Sequence, residues 1–346
     1  MTTTESVRNT VAIVLPAMGA HSETAFEPAT RPTMYFIGVT TGKSSIMAVF
    51  PKWAEHLGLG AVAIRGIDCK WHDDPAVYRR VVSFIKSDPL SLGALVTTHK
   101  IDLLAACHDL FDELDSSAQL LGEVSGISKR QGDRGSKAQT LLCGHAKDPL
   151  TSGLSLEAFL PERHWERTGA DALILGAGGS SIALSCALLD PKHGGNVPRR
   201  LFVTDRSPGR LREIEAIHKR LGASIPVEYI HAARPEENDS VVARLAPHSL
   251  VANATGLGKD APGSPLTDAA MFPEHGLAWD FNYRGDLLFL TQARRQAGMR
   301  RLHVEDGWVY FLHGWTRVMA EVFHIDIPAR GPGFEQLSDI AANVRT

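Results

Sequence analysis

The stretch 171-DALILGAGGSSIALSCALLD-190 decides the fold. An apolar run, Ala172 to Leu175, leads straight into Gly176-Ala177-Gly178-Gly179-Ser180-Ser181 and then into a helical pattern of small and apolar residues. A strand that turns sharply into a helix needs a residue without Cβ at the turn, and Gly176 supplies it. A second such residue, Gly178, lets a pyrophosphate approach the backbone, where the N–H groups and dipole of the helix N-terminus favour negative charge. Ser181 stands where the third small residue of G-x-G-x-x-G/A packs helix on strand. A glycine triplet by itself also suits a plain tight turn, so its surroundings carry the reading.

The next apolar run, "RRLFVTDR", ends at Asp205 after one strand–helix–strand unit. An acidic residue at that strand end hydrogen-bonds the ribose hydroxyls of NAD. Arg206 beside it suits a 2′-phosphate, but a carboxylate in line repels that group. The expected cofactor is therefore NAD, with NADP the alternative. A solvated loop aspartate is the bland reading of Asp205.

Outward from this point the chain alternates. "TMYFIGV", "AVAIRGI" and "LGALVTT" read as strands separated by the helices "SIMAVFPKWAEHLG" and "PAVYRRVVSFIKS", with "IDLLAACHDLFDEL" a third helix. "PGRLREIEAIHKRLG" is a helix that starts at a proline and stops at Gly222, and "IPVEYIH", "HSLVANAT" and "GLAWDFNY" are further strands. "RGDLLFLTQARRQAG" and "GWVYFLHGWTRVMAEVFH" read as closing helices, and "SKRQGDRGSKAQ" as a loop or hairpin tip. Short apolar strands alternating with amphipathic helices predict an α/β fold with mostly parallel sheets. Residues 1–32, rich in Thr, Ser, Ala and Pro, read as a loosely held extension.

The chain has 346 residues, a formal net charge of −3 and 44% hydrophobic residues. That length holds about two domains. The charge, with both signs interspersed, gives no case for nucleic acid or anionic membrane as a partner, and no apolar run approaches the ~20 residues that span a bilayer. Four scattered cysteines and fifteen scattered histidines form no C-x-x-C or H-E-x-x-H pattern. The expectations are a cytoplasmic protein with structural thiols, no metal and a small-molecule substrate, as a monomer or homodimer.

"GVTTGKSS" (38–45) looks at first like a phosphate loop. That loop needs G-x-x-x-x-G-K-[ST]; here Gly38 and Gly42 enclose only three residues, so the nest of N–H groups does not follow.

An ordered series of motifs resembles the shikimate/quinate dehydrogenases over roughly 33–325. "GALVTTHK" is similar to that family's G-x-N-V-T-x-P-x-K, one residue shorter, and "DELDSSAQLLGEVSG" to D-x-L-S-x-x-A-x-x-x-G-A-V-N-T. "GHAKD" stands for G-x-N-T-D, "NATGLG" (253–258) for N-A-T-P-x-G, "DFNY" for D-x-V-Y and "EDGWVYFLHG" for D-G-x-x-M-L-V-x-Q. The resemblance implies a substrate domain (33–153), an NAD-binding domain (154–302) and a C-terminal segment (303–346) that returns to the first. It implies a catalytic pair, Lys100 and Asp148, in which the lysine exchanges the hydroxyl proton and the carboxylate orients it. Singly, Lys100 is also a surface lysine opening a helix, and Asp148 a turn residue before Pro149. The resemblance adds Asn253, Ala254, Thr255, Gly256 and Gly307 to the cofactor residues.

On the substrate side the resemblance points to Lys43, Ser44, Thr97, Ser125, Tyr283, His313 and Gly314. "GVTTGKSS" then matches a substrate loop, H-S-x-S-P, with Ser44 on its first serine and Ile46 on its second. Most of the positions that hold substrate are changed. Asn becomes Leu95 and Ser125, Asn-Thr becomes Ala146-Lys147, and Gln becomes Gly314. Lys43, Lys147, His145, His313 and Tyr283 are candidates to meet a different polar or anionic molecule. The expected activity is an NAD(P)-dependent dehydrogenase of a polyhydroxylated cyclic substrate, with or without a carboxylate. Ordinary shikimate or quinate oxidation is the alternative, and a catalytically idle metabolite-binding regulator the alternative from another class.

Overall fold

The computed structural model describes residues 11–21, 26–134, 137–223, 225–259 and 261–344. The chain divides into two compact units, 1–147 with 314–346, and 148–313. These divisions fall at 147/148 and 313/314, whereas the sequence reading placed them near 153 and 302.

The first unit is built on strands β1 (Ile13–Gly19), β2 (Thr33–Gly38), β3 (Ala63–Asp68), β4 (Ser91–Val96), β5 (Glu113–Leu114), β6 (Gly126–Arg134) and β7 (Lys137–His145). Their order is β1-β3-β2-β4-β6-β7-β5. β1, β3, β2 and β4 run parallel; β6 is antiparallel to β4 and to β7. β2 is buried along its whole length, as a central parallel strand with both faces covered must be. Its helices are α1 (Ile46–His56), α2 (Pro75–Ser87), α3 (Lys100–Cys107) and α4 (Ser116–Leu121). α2 begins where the sequence signals it: Asp74 caps the Ala76 N–H and Pro75 takes the first helical position.

Two expectations change here and a third is resolved. Residues 13–19, placed in the loose extension, are an edge strand. Pro16 hid it, yet an edge strand with a bulge between Leu15 and Met18 tolerates a proline. Residues 1–10 and 22–25 of that extension lie outside the described residues. The helix expected over 101–114 stops at Cys107, because Asp112 is drawn to β7 by reciprocal bonds: its N–H donates to the Leu142 carbonyl and its carboxylate accepts the Leu142 N–H. Of the two readings of 128–139, loop or hairpin tip, the hairpin holds: most of it is paired strand next to the tip, and 135–136 lie outside the described residues.

The second unit has β8 (Ala172–Leu175), β9 (Leu201–Asp205), β10 (Val227–His231), β11 (Leu250–Asn253), β12 (Leu277–Asp280) and β13 (His303–Glu305). All neighbours are parallel and the order is β10-β9-β8-β11-β12-β13. Counted from β8 this is 3-2-1-4-5-6, the doubly wound order whose crevice lies where the direction of winding reverses, between β8 and β11. Helices α5 (Asp148–Glu157), α6 (His164–Thr168), α7 (Gly179–Leu188), α8 (Pro208–Leu221), α9 (Pro235–Val242) and α10 (Leu288–Arg300) belong to it. Ser207 caps α8 and Gly222 ends it in the left-handed conformation.

α11 (Trp308–Phe323) begins in the second unit and ends in the first, where Trp315 meets Phe36 edge-on at 4.9 Å. α12 (Pro332–Ala342) follows, and its Leu337 carbonyl accepts the buried Trp53 indole N–H of α1 at 2.8 Å. Among the described residues no helix is long and apolar enough to cross a membrane.

Candidate active site

In the second unit the chain leaves β8 at Gly176 with φ +100°. A Cβ there would stand 2.9 Å from the Ala254 carbonyl oxygen, so backbone crowding at the β8–β11 switch point also demands glycine. Gly178 is the residue before α7, and a Cβ on it would meet nothing within 4 Å, which leaves its face open to a ligand. Ser181 is fully buried under the helix, as packing at the third position requires. Asp205 ends β9 and is fixed from two sides: Oδ2 accepts the Ala177 N–H at 2.8 Å and Oδ1 the Ser207 N–H at 2.7 Å. Its carboxylate is thus tied to the glycine turn itself. Arg206 is exposed beside it, and its carbonyl accepts from the His231 ring.

The loop after β11 is held by a polar network. The fully buried Asn253 donates to Asp280 Oδ2 at 3.1 Å, and its Oδ1 accepts the Thr255 hydroxyl at 2.7 Å. Asn282 donates to the Leu257 carbonyl at 3.0 Å, and its own N–H reaches Asp280 Oδ1 at 2.9 Å. Gly256 has φ +77°. Burial pushes the Asp280 carboxyl up to about 7, against the lowering effect of its hydrogen bonds. Gly307 is required by contact, since a Cβ would fall 2.0 Å from the Phe281 carbonyl oxygen. Tyr283 packs against Trp308 and Phe311 at 5.3 and 4.9 Å between ring centres.

Asp148 opens α5 and is buried, with the Tyr310 hydroxyl donating to its Oδ2 at 3.2 Å. The helix N-terminus favours negative charge there. His313 is buried in α11, and Gly314 follows it in the first unit.

In the first unit the C-terminal ends of β2, β4 and β7 and the start of the antiparallel β6 lie at one sheet edge. That edge gathers Ser44, Thr97, Lys100, Ser125, His145 and Lys147. The loop after β2 folds as a 3₁₀ turn, Thr41–Lys43. Three of its N–H groups are engaged internally: Thr41 on Asp68 at 2.8 Å, Lys43 on the Thr40 carbonyl and Ser44 on the Thr41 carbonyl. This fits the missing phosphate-loop spacing, since a nest needs such groups turned to the anion. Gly66 makes room, since a Cβ there would fall 1.9 Å from the Thr41 hydroxyl.

The shortened "GALVTTHK" motif closes by a tight turn. Thr98 takes φ +60° and the His99 N–H donates back to the Thr97 carbonyl at 2.5 Å, so Lys100 starts α3 directly after the bend. His99 is buried against the Tyr78 hydroxyl at 3.0 Å. Ser125 turns its hydroxyl to the backbone, accepting the Lys147 N–H at 2.8 Å and donating to the His145 carbonyl at 3.3 Å. The Lys147 ammonium lies 2.5 Å from Glu321 and 3.8 Å from Asp115. His145 stands 3.6 Å from Asp115 and 2.8 Å from the Ser128 hydroxyl. Burial raises the Asp115 carboxyl, but hydrogen bonds from His145, Ala118 and Ala146 and the charge of Lys147 hold it below the ordinary carboxylate range.

The site residues expected from the sequence therefore divide between the two units. Gly176 to Ser181, Asp205, Asn253 to Gly256, Gly307, Tyr283, His313 and Asp148 belong to the second unit. Lys43, Ser44, Thr97, Lys100, Ser125 and Gly314 belong to the first. Asp115, Glu321, Tyr310 and Asp280 were not singled out from the sequence. Only Asp280 had a local signal, as the acid of "DFNY" at a strand end.

A doubly wound parallel sheet, a glycine turn at its switch point and an acid at the neighbouring strand end define a unit of the dinucleotide-binding α/β class. No family model matches the chain. A shikimate dehydrogenase (NADP(+)) of Symbiobacterium thermophilum is 29% identical over 228 residues, 65% of this chain and 69% of that protein. One of Streptococcus gordonii is 33% identical over 190 residues, 54% of this chain and 58% of that protein. The solved quinate dehydrogenase of Corynebacterium glutamicum, in complex with NAD, superposes with a TM-score of 0.66 over 90% of this chain and 99% of that one, at 20% identity. In sequence and in fold the chain is thus similar to shikimate and quinate dehydrogenases.

Proposed function

We propose that the protein is an NAD(P)-dependent dehydrogenase acting on a secondary alcohol of a polyhydroxylated small molecule, with NAD the preferred cofactor. The observation that carries this is the joint placement of Gly176, Gly178 and Asp205 at the switch point. Gly176 makes the tight turn that its φ of +100° and the Ala254 backbone demand, Gly178 keeps an open face before the helix, and Asp205 is fixed by two backbone N–H groups.

The residues fit a dinucleotide. The N–H groups that open α7 would hold the pyrophosphate, and Asp205 the ribose hydroxyls. The loop Asn253–Gly256 and Gly307 would line its remainder. When bound, the cofactor supplies the hydride acceptor or donor. This chain's part is to exchange the proton of the hydroxyl, the role given to Lys100 with Asp148 as the carboxylate of the pair. The curated relatives carry NADP(+) in their names and the solved quinate dehydrogenase holds NAD. The fixed carboxylate of Asp205 is the argument for NAD here, because it repels a 2′-phosphate.

Ordinary shikimate or quinate oxidation is the second reading, favoured by the names of the relatives. Steady-state assay of reduced nicotinamide formation with NAD and NADP over cyclic polyols, quinate and shikimate tests both. Lys100→Ala is expected to lower turnover about a hundredfold to ten-thousandfold at near-normal cofactor affinity, and Asp205→Ala to narrow the preference for NAD. Near-normal turnover in Lys100→Ala would remove the catalytic assignment, and tighter binding of NADP by the unaltered protein would reverse the cofactor assignment.

A further inference from the structure

The sheet edge that carries Lys100 also carries an ion-paired group. Lys147 follows β7, and its ammonium lies 2.5 Å from Glu321 Oε1 on α11 and 3.8 Å from Asp115 Oδ2. His145 stands 3.6 Å from the same Asp115 oxygen and 4.0 Å from Glu321 Oε2. The side chains are reachable: Lys147 is 18% exposed, Asp115 28% and Glu321 37%. Two carboxylates thus face one ammonium, and Lys147 has no uncompensated charge with which to draw in an anion.

The same group is well made for a neutral diol. A hydroxyl donates to a carboxylate and accepts from an ammonium, so adjacent hydroxyls match a Lys–Glu pair with donors and acceptors on both sides. Such charge-assisted bonds are roughly twice as strong as neutral ones. A substrate carboxylate brought to the same place must displace Glu321 or lie against it and Asp115, a built-in penalty of the kind that generates specificity. The distance also suits. β4 and β7 are two strand spacings apart, with β6 between them, so the strand ends that lead to Lys100 and Lys147 are separated by about 10 Å. A six-carbon polyol with a side chain at either end spans that.

We propose that the Lys147–Glu321 pair, flanked by Asp115 and His145, is the specificity-determining element of the site: it recognises vicinal hydroxyls of a neutral polyol and rejects carboxylated analogues. This rests on the dehydrogenase reading above and names its substrate class.

The test compares myo-inositol, sorbitol and related neutral polyols with quinate and shikimate, using the full chain and Glu321→Gln, a near-isosteric change on a half-exposed helix face. The expected result is a specificity constant for the best neutral polyol about a hundredfold or more above those for quinate and shikimate. Glu321→Gln should lower it about tenfold, chiefly through KM, and narrow the ratio by releasing the Lys147 charge. Preference for quinate or shikimate in the unaltered protein, or an unchanged ratio in the variant, overturns the proposal. Absence of turnover with every compound and both cofactors overturns the dehydrogenase reading instead. Calorimetric titration of the same polyols and acids into both proteins then judges the pair alone. Tighter polyol binding that Glu321→Gln weakens supports it, and equal binding by the two proteins overturns it.

Discussion

The Tyr310 hydroxyl donates to Asp148 Oδ2 at 3.2 Å, joining the first helix of the second unit to its last. The tyrosine ring is held edge-on by Phe281 at 4.8 Å and Trp279 at 6.5 Å, so its hydroxyl is presented by a packed aromatic cluster. The bond is long for O–H···O, as such bonds commonly are before substrate binds. In the role proposed for Asp148, orienting a proton-transferring amine, a carboxylate benefits from a donor that fixes its rotation. Tyr310→Phe is therefore expected to lower kcat about two- to tenfold, the worth of one hydrogen bond, with cofactor affinity unchanged. In the Asp148→Asn background the same change should cost nothing further, because the acceptor's role is already lost. Additive losses in this double-mutant cycle would mean that Tyr310 acts on something other than Asp148.

How far this arrangement was legible depends on how local each demand is. Gly176 and Asp205 could be read because a strand–turn–helix fixes where the glycine and the acid must stand, and both requirements lie within one βαβ unit. Lys147 was visible, but its state was not: the charge expected to meet an anionic molecule is compensated by Glu321, a partner brought in only by the return of α11. Tyr310 and Asp148 are likewise far apart in the chain. β1 was hidden for a different reason. A five-residue apolar run broken by Pro16 carries little periodicity, and only the edge of a sheet admits it.

The Asp280 carboxyl, pushed up to about 7 by burial, makes stability depend on pH in an unusual direction. In the unfolded chain an aspartate releases its proton near 3.9. Between about 4 and 7 the folded state therefore binds more protons than the unfolded one, so stability falls as pH rises. The contribution is fully present below about 4 and is lost as pH passes through 7. Urea unfolding of the unaltered protein should show this group's share as a slope on the order of 1 kcal/mol per pH unit in that window. Asp280→Asn should flatten the slope, even though it lowers the level by setting an amide against the Asn253 amide that now donates to Asp280. Equal slopes in the two proteins would show that Asp280 is ionised in the fold.

Gly314 sits inside α11, where glycine costs about 0.5–1 kcal/mol relative to alanine through lost backbone freedom. Neither usual excuse applies. Its φ is not positive, and a Cβ added there would meet nothing within 4 Å, unlike Gly307 or Gly176. The resembling pattern has glutamine at this position, so the chain has given up a long polar side chain and kept open space in its place. Conformation does not explain this choice, and the substrate-binding role proposed for this position would, by leaving room for a ligand. Gly314→Ala is expected to raise stability by about 0.5–1 kcal/mol in urea unfolding and to leave cofactor binding alone. Gly314→Gln, which refills the space, is expected to lower the specificity constant for the protein's own substrate about tenfold or more, mainly through KM. A destabilised Gly314→Ala would mean that the helix needs glycine for its own geometry. Unimpaired turnover in Gly314→Gln would mean that the space is not used by the substrate.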